Sequence, residues 1–301
     1  MNVKRVTVLG ALVLILGGGL YGGYHYYQKT SQAKQQAAST QKQVDKATKE
    51  SSSVTTSKKT SSSRSQAVQK ILDQYHNQKN IGVAYTDLST GTTASTNGDT
   101  MFYAASVAKL PIIAYVQREI ATGKISWETK FAYADAANSL PSAMVIGGTG
   151  TLQNENHQGQ SYSVEDLTKR AVEQSDNQAS NQLYYHVANA NSQGFSAYLE
   201  STVGAKTYSK TMSAKQANQA IISIWKQDQK ASQWLEQTNW AHDKIGSLPV
   251  TVAHKIGING AANNDAAIVL SNHKFALTIM TDGWSDEQVA QLAQKIYAVA
   301  K

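Results

Sequence analysis

The 301-residue chain contains no cysteine and only three prolines. Without cysteine it has no disulfide framework, no thiolate ligands for a metal ion and no thiol nucleophile. This absence does not decide the cellular compartment, because many exported proteins also lack disulfides. The seven histidines include none that is spaced with a second ligand as metal sites require. We therefore expect neither a metal ion nor another cofactor.

Acidic side chains are scarce in the first part of the chain. Residues 1–64 hold ten basic and only two acidic side chains, whereas residues 65–301 hold 18 basic and 19 acidic ones. The formal charge of +7 therefore comes from the N-terminal part. A nucleic-acid-binding domain usually carries a basic patch on its folded part, so the near-neutral remainder argues against a nucleic-acid partner.

The first 27 residues have the pattern of a membrane segment. Lys4 and Arg5 precede an apolar run over residues 6–20, which continues through glycine and tyrosine to Tyr27. A helix of about 20 residues spans a bilayer, and the two basic residues favour an N-terminus on the inner side. The alternative is a cleaved signal peptide, because the core of the run is short, although no Ala-x-Ala-like site follows it. We expect residues 1–27 to be a single-pass cell-membrane anchor, with the rest of the chain outside the cell or secreted if the segment is cleaved.

Residues 28–64 consist mostly of serine, threonine, glutamine, lysine and alanine, and they include no aromatic residue. Such a segment buries too little apolar surface to offset the entropy lost on ordering. We expect a disordered linker over residues 28–64. Its positive charge could contact anionic lipid or an anionic wall polymer, but a plain solvated spacer is the alternative that needs fewer assumptions.

Residues 65–301 are expected to form one folded domain with alternating helical and strand patterns. Apolar residues recur with helical spacing from Val68 to Tyr75, and Ser285 is suited to cap a final amphipathic helix. Two early and three late strands favour an α+β fold, with one five-stranded antiparallel sheet flanked by helices and an inserted helical subdomain. The patterns predict helices over residues 106–123, with a kink at Pro111, and over residues 164–187, 214–225 and 285–300, and strands over residues 81–88, 92–96, 250–256, 266–270 and 275–281.

The turn Ser106-Val107-Ala108-Lys109 places two reactive side chains on one face of a helix. A serine hydroxyl is a weak nucleophile until a base takes its proton, and a neutral lysine can be that base where its surroundings disfavour the charge. A helix N-terminus also offers N–H groups to an oxyanion. Alone, the pair is weak evidence, because the same spacing recurs in this Ser- and Lys-rich chain at Ser31/Lys34, Ser39/Lys42 and Ser271/Lys274.

Two further motifs lie downstream. Ser175-Asp176-Asn177 falls within the helical block, and Lys255-Ile256-Gly257 falls on the first late strand. A second Lys-Ile-Gly triplet begins at Lys244, but it lies in a polar stretch before a proline, whereas Lys255 lies in a strand pattern followed by more strands. We therefore expect Lys255 to be the functional lysine.

In chain order, the three motifs resemble the Ser-x-x-Lys, Ser-Asp-Asn and Lys-Thr-Gly motifs of the class A β-lactamase-like branch of the penicillin-recognising serine enzymes. The resemblance covers residues 65–301 and implies the β-lactamase/transpeptidase-like fold. It implies that Ser106 is the nucleophile, Lys109 its general base or proton shuttle, and Ser175 the group that passes the proton to the leaving nitrogen. It also implies that Asn177 binds a substrate amide and that Lys255 anchors the substrate carboxylate.

The same resemblance assigns the oxyanion hole to the N–H groups of Ser106 and Ile258, next to Gly257 of the third motif. Asp176 is expected to be structural and to brace its loop by hydrogen bonds. His254, beside the functional lysine, is expected to pack or to bond locally.

Two departures from the family pattern affect the expected activity. Ile256 stands where the third motif usually has threonine or serine, and a lost hydrogen bond to the substrate carboxylate is worth about 1.5–3 kcal/mol. Efficient class A β-lactamases also carry a glutamate between the second and third motifs, which activates the deacylating water. The glutamates in that interval here are Glu200 and Glu236; neither has the family's sequence setting, and residues 203–212 look like a shortened replacement of the loop.

The sequence therefore predicts an extracytoplasmic serine hydrolase that acts through an acyl-enzyme on β-lactams or on peptidoglycan D-Ala-D-Ala-type amides. The departures predict slow deacylation of penicillins. The alternative is a catalytically reduced cell-wall-binding or β-lactam-sensing module, in which Ile256 and the altered loop mark a loss of activity around an intact fold. Retention of the reactive side chains in all three motifs favours the enzyme.

Overall fold

In a computed structural model of the protein, residues 63–301 are described. The membrane segment predicted at residues 1–27 and most of the predicted linker lie outside the described residues. Within residues 63–301, no helix is both long and apolar enough to cross a bilayer. Arg64, the last residue of the predicted linker, belongs to the first helix, and its Nη2 contacts Asp87 Oδ2 at 3.0 Å.

A five-stranded antiparallel sheet forms the centre of the fold, with the strand order β2-β1-β9-β8-β7. The predicted α+β class and the sheet of two early and three late strands are confirmed. Two pairs of short strands, β3 with β6 and β4 with β5, lie outside the main sheet. The strands are β1 (Ile81–Asp87), β2 (Thr93–Thr96), β3 (Met101–Tyr103), β4 (Lys130–Ala132), β5 (Ser161–Ser163), β6 (Thr211–Ser213), β7 (Val252–Asn259), β8 (Ala262–Val269) and β9 (Phe275–Thr281).

Helices cover both faces of the sheet. The helices are α1 (residues 63–72), α2 (Leu110–Ala121), α3 (Val164–Glu173), α4 (Asn177–Leu183), α5 (Ser192–Tyr198), α6 (Ala214–Lys226), α7 (Lys230–Trp234) and α8 (Asp286–Ala300). The first and last helices pack their apolar side chains against one face, where Val83 and Leu277 lie. The second and sixth helices pack against the other face through a core that includes Ala84 and Ala276. Because side chains alternate between the faces of a strand, neighbouring residues belong to different cores.

Two predicted strands differ from the structure by more than one residue at an end. The strand predicted at residues 266–270 begins at Ala262, because three polar residues before it are buried within β8. Asn264 Nδ2 donates to the C=O of Tyr103 at 2.9 Å, and Asp265 accepts hydrogen bonds from other buried groups. A strand pattern based on apolar residues misses such a segment, because here hydrogen bonds rather than apolar contacts satisfy the buried side chains. The strand predicted at residues 250–256 runs from Val252 to Asn259 instead.

The helix predicted to begin near Ser106 starts with a 3₁₀ turn, Ala105–Lys109, which continues into α2. Pro111 therefore lies in the first turn of the α-helix, where its missing N–H has no intrahelical partner to lose. The predicted kink rested on Pro111 lying deeper in the helix, and that placement was wrong.

The helical stretch predicted over residues 164–187 is interrupted after α3. Ser175 has a positive φ of 57°, and Asp176 caps the next helix by accepting a hydrogen bond from the N–H of Ala179 at 2.9 Å. The chain then continues through α4 into a π-helical segment, Tyr184–Asn189. The second motif thus occupies a break between two helices.

Candidate active site

Ser106 and Lys109 lie in the 3₁₀ turn that leads into α2. The Nζ atom of Lys109 is 2.8 Å from Ser106 Oγ, and the lysine side chain is fully buried. Ala105, directly before the serine, has a φ of 48°, in the left-handed region that residues with a side chain rarely adopt. Such strain is typical of functional sites, where the surrounding structure holds the backbone in place.

Ser175 lies opposite this turn, in the break between α3 and α4. Its Oγ atom is 3.1 Å from the Nζ of Lys109 and 2.8 Å from the Nζ of Lys255. The positive φ of Ser175 turns the chain sharply at this point. The hydroxyl group therefore links the two buried lysines, one from α2's leading turn and one from β7.

Asn177, the first residue of α4, joins the same group through its oxygen. Asn177 Oδ1 accepts a hydrogen bond from Lys109 Nζ at 2.7 Å. Its Nδ2 donates to the C=O groups of Val145 and Gly147, at 2.8 and 3.1 Å. Both N–H donors of Asn177 therefore hold the loop over residues 145–147, and a substrate carbonyl that binds there has to displace or share one of them.

The edge strand β7 brings the third motif against the 3₁₀ turn that carries Ser106. A Cβ atom on Gly257 would lie 2.4 Å from the C=O of Ala104 and 3.1 Å from the N of Ser106, so only glycine allows this approach. Because β7 is an edge strand, one row of its N–H and C=O groups points away from β8. Ile258, predicted to supply an oxyanion N–H, follows Gly257 directly, and its side chain is exposed.

One aromatic neighbour of this group lies outside the predicted site residues. The ring of Trp240 lies 5.6 Å from Lys255 Nζ, as in a cation–π contact. Trp240 is in a segment between α7 and β7 that has no regular pattern, so no periodic signal marked it as a site residue.

The electrostatics of the two lysines differ in cause. Burial, together with the nearby charge of Lys255, lowers the pKa of Lys109 well below its usual value. Burial lowers the pKa of Lys255 to about 7, and the carboxylate of Asp265 opposes this shift while Lys244 adds to it. At neutral pH, Lys109 is thus suited to accept a proton, and Lys255 is the cation of the pair below its pKa.

Asp265 lies behind Lys255, on β8. It contacts His254 Nδ1 at 3.0 Å and accepts a hydrogen bond from the N–H of Ile245 at 3.1 Å. His254 and Asp265 are both fully buried. This arrangement agrees with the local role predicted for His254.

Lys244, in the second Lys-Ile-Gly triplet, lies away from the cluster of Ser106, Lys109, Ser175, Asn177 and Lys255. It begins a 3₁₀ segment, Lys244–Ser247, that packs near α8, and its Nζ is 3.6 Å from Asp286 Oδ1. In another pair with the Ser-x-x-Lys spacing, Ser271 Oγ donates to the C=O of His273 rather than meeting Lys274. The structure thus brings together Ser106, Lys109, Ser175, Asn177 and Lys255, with Gly257 and Ile258 adjoining them.

Among residues 63–301, no carboxylate lies within hydrogen-bond distance of Ser106, Lys109 or Ser175. Glu200 lines a separate surface cavity of about 590 Å³ together with Lys215. Asp176 accepts hydrogen bonds from the N–H groups of Leu152 and Ala179, which is the bracing role predicted for it. The described residues also contain no group of three His, Asp or Glu side chains that could hold a metal ion.

The arrangement is chemically suited to acyl transfer. A neutral Lys109 can take the proton of Ser106 as its Oγ attacks a carbonyl carbon, and Ser175 can pass a proton to the leaving nitrogen. Lys255 can hold an anionic group of the substrate, and N–H groups of the turn and of β7 can face the developing oxyanion.

Comparison with solved structures shows the same fold in class A β-lactamases and a penicillin-binding protein. The structure of PBP-A matches with a TM-score of 0.63 at 20% identity, covering 77% of this chain and 95% of that chain. A β-lactamase from Burkholderia phymatum matches with a TM-score of 0.61 at 18% identity, covering 79% of this chain and 100% of that chain. A mutant of PBP-A, at 19% identity and a TM-score of 0.63, was solved as an acyl-enzyme complex with penicillin G; the match covers 77% of this chain and 95% of that chain.

Comparison with curated protein sequences gives no significant match. The family model described as the beta-lactamase enzyme family matches residues 63–300, which is most of the chain. The matched region contains all three motifs and the complete five-stranded sheet. The chain therefore belongs to the beta-lactamase enzyme family of serine hydrolases.

Proposed function

We propose that the domain is a penicillin-acylated serine hydrolase of the D,D-peptidase type, which acts on β-lactams or on peptidoglycan D-Ala-D-Ala-type amides. One observation carries this proposal: Lys109 Nζ lies within hydrogen-bond distance of both Ser106 Oγ and Ser175 Oγ, and Lys255 Nζ contacts the same Ser175 oxygen. This connected chain of groups can move a proton from the nucleophile to a leaving nitrogen. It needs no side chain outside the three motifs.

In the proposed acylation, Ser106 Oγ forms a bond to the amide carbonyl carbon and the C–N bond breaks. The serine proton moves to Lys109, and a proton reaches the leaving nitrogen through Ser175. In a β-lactam, the leaving nitrogen stays attached through the opened ring. Lys255 holds the carboxylate that β-lactams and C-terminal peptides share.

Slow deacylation is part of the proposal. Hydrolysis of the acyl-enzyme needs a base that activates water, and no carboxylate of residues 63–301 reaches Ser106, Lys109 or Ser175. Glu200 and Glu236, the glutamates between the second and third motifs, make no hydrogen bond to this group. The PBP-A mutant that was solved as an acyl-enzyme with penicillin G shares this fold, and this supports the proposed acylation of the domain by penicillins.

The proposal extends to the location of the domain. The apolar run after Lys4 and Arg5 supports a membrane anchor, and peptidoglycan lies outside the cell membrane. The basic residues of the linker support contact with an anionic wall polymer. Apart from Arg64, both features belong to residues outside the described ones, and cell fractionation with protease accessibility of the domain would test them.

A second candidate is a catalytically reduced wall-binding or β-lactam-sensing module. Ile256 favours it, because this residue replaces the hydroxyl that the third motif usually offers to the substrate carboxylate. The two candidates differ in one respect: an enzyme forms an acyl adduct on Ser106 and releases it, whereas a catalytically reduced module forms no adduct or never releases it.

The test is the intact mass of the full-length protein over time with benzylpenicillin. We expect one adduct per chain, absent in Ser106→Ala and unchanged in the matched variant Ser271→Ala, and lasting much longer than a β-lactamase turnover. Fast release of product would contradict the slow deacylation. Absence of any adduct would favour the binding module.

A further inference from the structure

Lys210 lies directly before β6, at the border of the cluster that contains Ser106, Lys109 and Asn177. Its C=O accepts a hydrogen bond from the N–H of Ala104, two residues before the nucleophile, at 2.8 Å. Its Nζ donates to the C=O of Ala143 at 3.1 Å, two residues before Val145, which Asn177 holds. The side chain therefore crosses from the strand that leads into the nucleophile to the loop that is bound to Asn177.

Lys210 carries a charge that no acidic side chain of residues 63–301 balances. Among the described residues, no carboxylate lies within ion-pair distance of its ammonium group. The partner that the structure shows is one neutral carbonyl group, and the side chain is half-buried. A half-buried cation with one neutral acceptor can bind an anion without breaking an ion pair.

The charges around the site favour the binding of a second anionic group of the substrate. Asp176 is the only acidic residue in the three motifs, and its oxygens accept hydrogen bonds from main-chain N–H groups instead of facing the nucleophile. Lys255 offers one positive charge next to Ser175. Lys210 offers another on the side where the strand of Ala104 meets the loop of Ala143.

The two cations lie at different parts of a bound substrate. Lys255 contacts Ser175, which gives its proton to the leaving nitrogen, so Lys255 lies on the leaving-group side of the scissile bond. Lys210 contacts neither Ser175 nor Lys255 in the structure. It lies toward the loop that Asn177 holds, and the resemblance assigns a substrate amide to Asn177. Because this end of the site is not the leaving-group side, we assign that amide to the acyl part of the substrate.

We propose that Lys210 binds a carboxylate on the acyl part of the substrate, so that this enzyme prefers dianionic acyl donors with one carboxylate on each side of the scissile amide. This inference rests on the proposed acylation of Ser106. It assigns to Lys210 a role in specificity, separate from the chemistry of the three motifs. Its substrate class is an amide or β-lactam whose acyl side chain ends in, or branches to, a carboxylate.

The test compares benzylpenicillin with carbenicillin, which differs by a second carboxylate on the acyl side chain. The measured quantity is the ratio of their second-order rate constants for acylation of the full-length protein. We expect Lys210→Gln to lower the carbenicillin-to-benzylpenicillin ratio by about fivefold, the upper range for a partly exposed ion pair. The rate with benzylpenicillin should change much less.

Two control variants separate recognition from general effects. Lys210→Arg keeps the charge and should keep the ratio. Lys206→Gln removes a charge from an exposed position four residues earlier and should also keep it. An unchanged ratio in Lys210→Gln, or an equal fall in Lys206→Gln, would overturn the proposal.

Failure of the proposed function gives a different result. If neither penicillin acylates the wild-type protein, the acylation proposal is wrong, and the role of Lys210 is then judged by equilibrium binding to Ser106→Ala. Tighter binding of carbenicillin than of benzylpenicillin, lost in the double variant with Lys210→Gln, would support the recognition role. Equal binding of both compounds would overturn it.

Discussion

Lys109 and Lys255 place their Nζ atoms at 3.1 Å and 2.8 Å from the same oxygen, Ser175 Oγ. Two buried ammonium groups this close disfavour each other's charge. The arrangement resolves this conflict by dividing the roles. Burial and the charge of Lys255 lower the pKa of Lys109 well below its usual value, so Lys109 is suited to act as the neutral base. Burial lowers the pKa of Lys255 to about 7, so Lys255 is the cation of the pair below that pH.

Removal of the base should nearly abolish acylation. We expect Lys109→Met to lower the rate constant for acylation by benzylpenicillin about 10²–10⁴-fold, the range for loss of a positioned general base. Stopped-flow or intact-mass kinetics measure it. The matched variant Lys274→Met, which changes the lysine of a pair with the same spacing, should acylate at the wild-type rate. A small effect of Lys109→Met would show that another group takes the serine proton.

Acylation should have a bell-shaped pH dependence. Below its depressed pKa, Lys109 gains a proton and can no longer act as base, so the rate falls toward acid. Burial lowers the pKa of Lys255 to about 7. As the pH rises through that value, Lys255 loses its charge and binds the substrate carboxylate more weakly. The second-order rate constant reports these groups in the free enzyme.

Lys255→Arg provides the control for the alkaline side of that profile. Arginine stays protonated throughout the accessible range, so its variant should keep its affinity for the carboxylate above pH 7. The alkaline fall should therefore move to higher pH or disappear. An identical alkaline limb in wild type and Lys255→Arg would assign that limb to a different group.

Sequence patterns predicted most of the fold because most strands and helices bury regular apolar faces. The prediction failed where polar groups are buried. The start of β8 was missed because Asn264 and Asp265 are satisfied by hydrogen bonds to distant parts of the chain, which a local pattern does not show. The break at Ser175 was missed because the flanking residues continue a helical pattern on both sides.

The motif residues of the site were predictable, but their surroundings were not. Chemical type and spacing singled out Ser106 and Lys109 only together with the two downstream motifs, because the same spacing recurs elsewhere in the chain. The contacts of Trp240 and Lys210 depend on how segments far apart in sequence meet, and neither residue lies in a motif. The use of both Asn177 donors by the loop over residues 145–147 likewise follows from tertiary structure alone.

Buried charge in the site should reduce stability at neutral pH. The pKa of Lys255 is about 7 in the folded chain and close to 10.5 when unfolded, so the unfolded chain binds more protons between these values. The free energy of unfolding should therefore rise with pH from about 7 to 10, by at most about 1.4 kcal/mol per pH unit for this one group. Lys109 contributes in the same direction.

Urea denaturation at pH 7 and at pH 9.5 measures this dependence. Lys255→Met should be more stable than wild type at pH 7 and should show a smaller rise with pH. The exposed-site variant Lys206→Met should keep the wild-type rise. If Lys255→Met keeps it too, the folded-state pKa of Lys255 is not depressed.

Gly257 should tolerate no side chain. A Cβ atom there would lie 2.4 Å from the C=O of Ala104 and 2.9 Å from the N of Val107, and both are main-chain atoms that cannot rotate away. Gly257→Ala should push β7 from the nucleophile turn and lower the acylation rate about 100-fold, because small misplacements of reacting groups have effects of that size.

Gly246→Ala is the matched control for that substitution. Its Cβ would lie about as close to a main-chain atom, 2.5 Å from the C=O of Ala241, and 2.9 Å from the ring of His254, but away from Ser106. It should lower the melting temperature without a comparable loss of acylation rate in the folded fraction. Equal losses of rate in both variants would point to general destabilisation rather than to the geometry of the site.

Ile256 should limit the affinity of the site for carboxylates. It is buried on β7 between Lys255 and Gly257, and it offers no hydroxyl group to a bound anion. Ile256→Thr should restore one hydrogen bond to the carboxylate and raise the acylation efficiency with benzylpenicillin about tenfold, as expected for a bond to a charged group.

Ile256→Val has the same shape as the threonine variant without its hydroxyl, so the difference between the two isolates the hydrogen bond. A threonine variant that acylates no faster than the valine variant would show that residue 256 does not reach the carboxylate. The departure from the family motif would then have no bearing on substrate binding, and the argument for a catalytically reduced module would lose its main support.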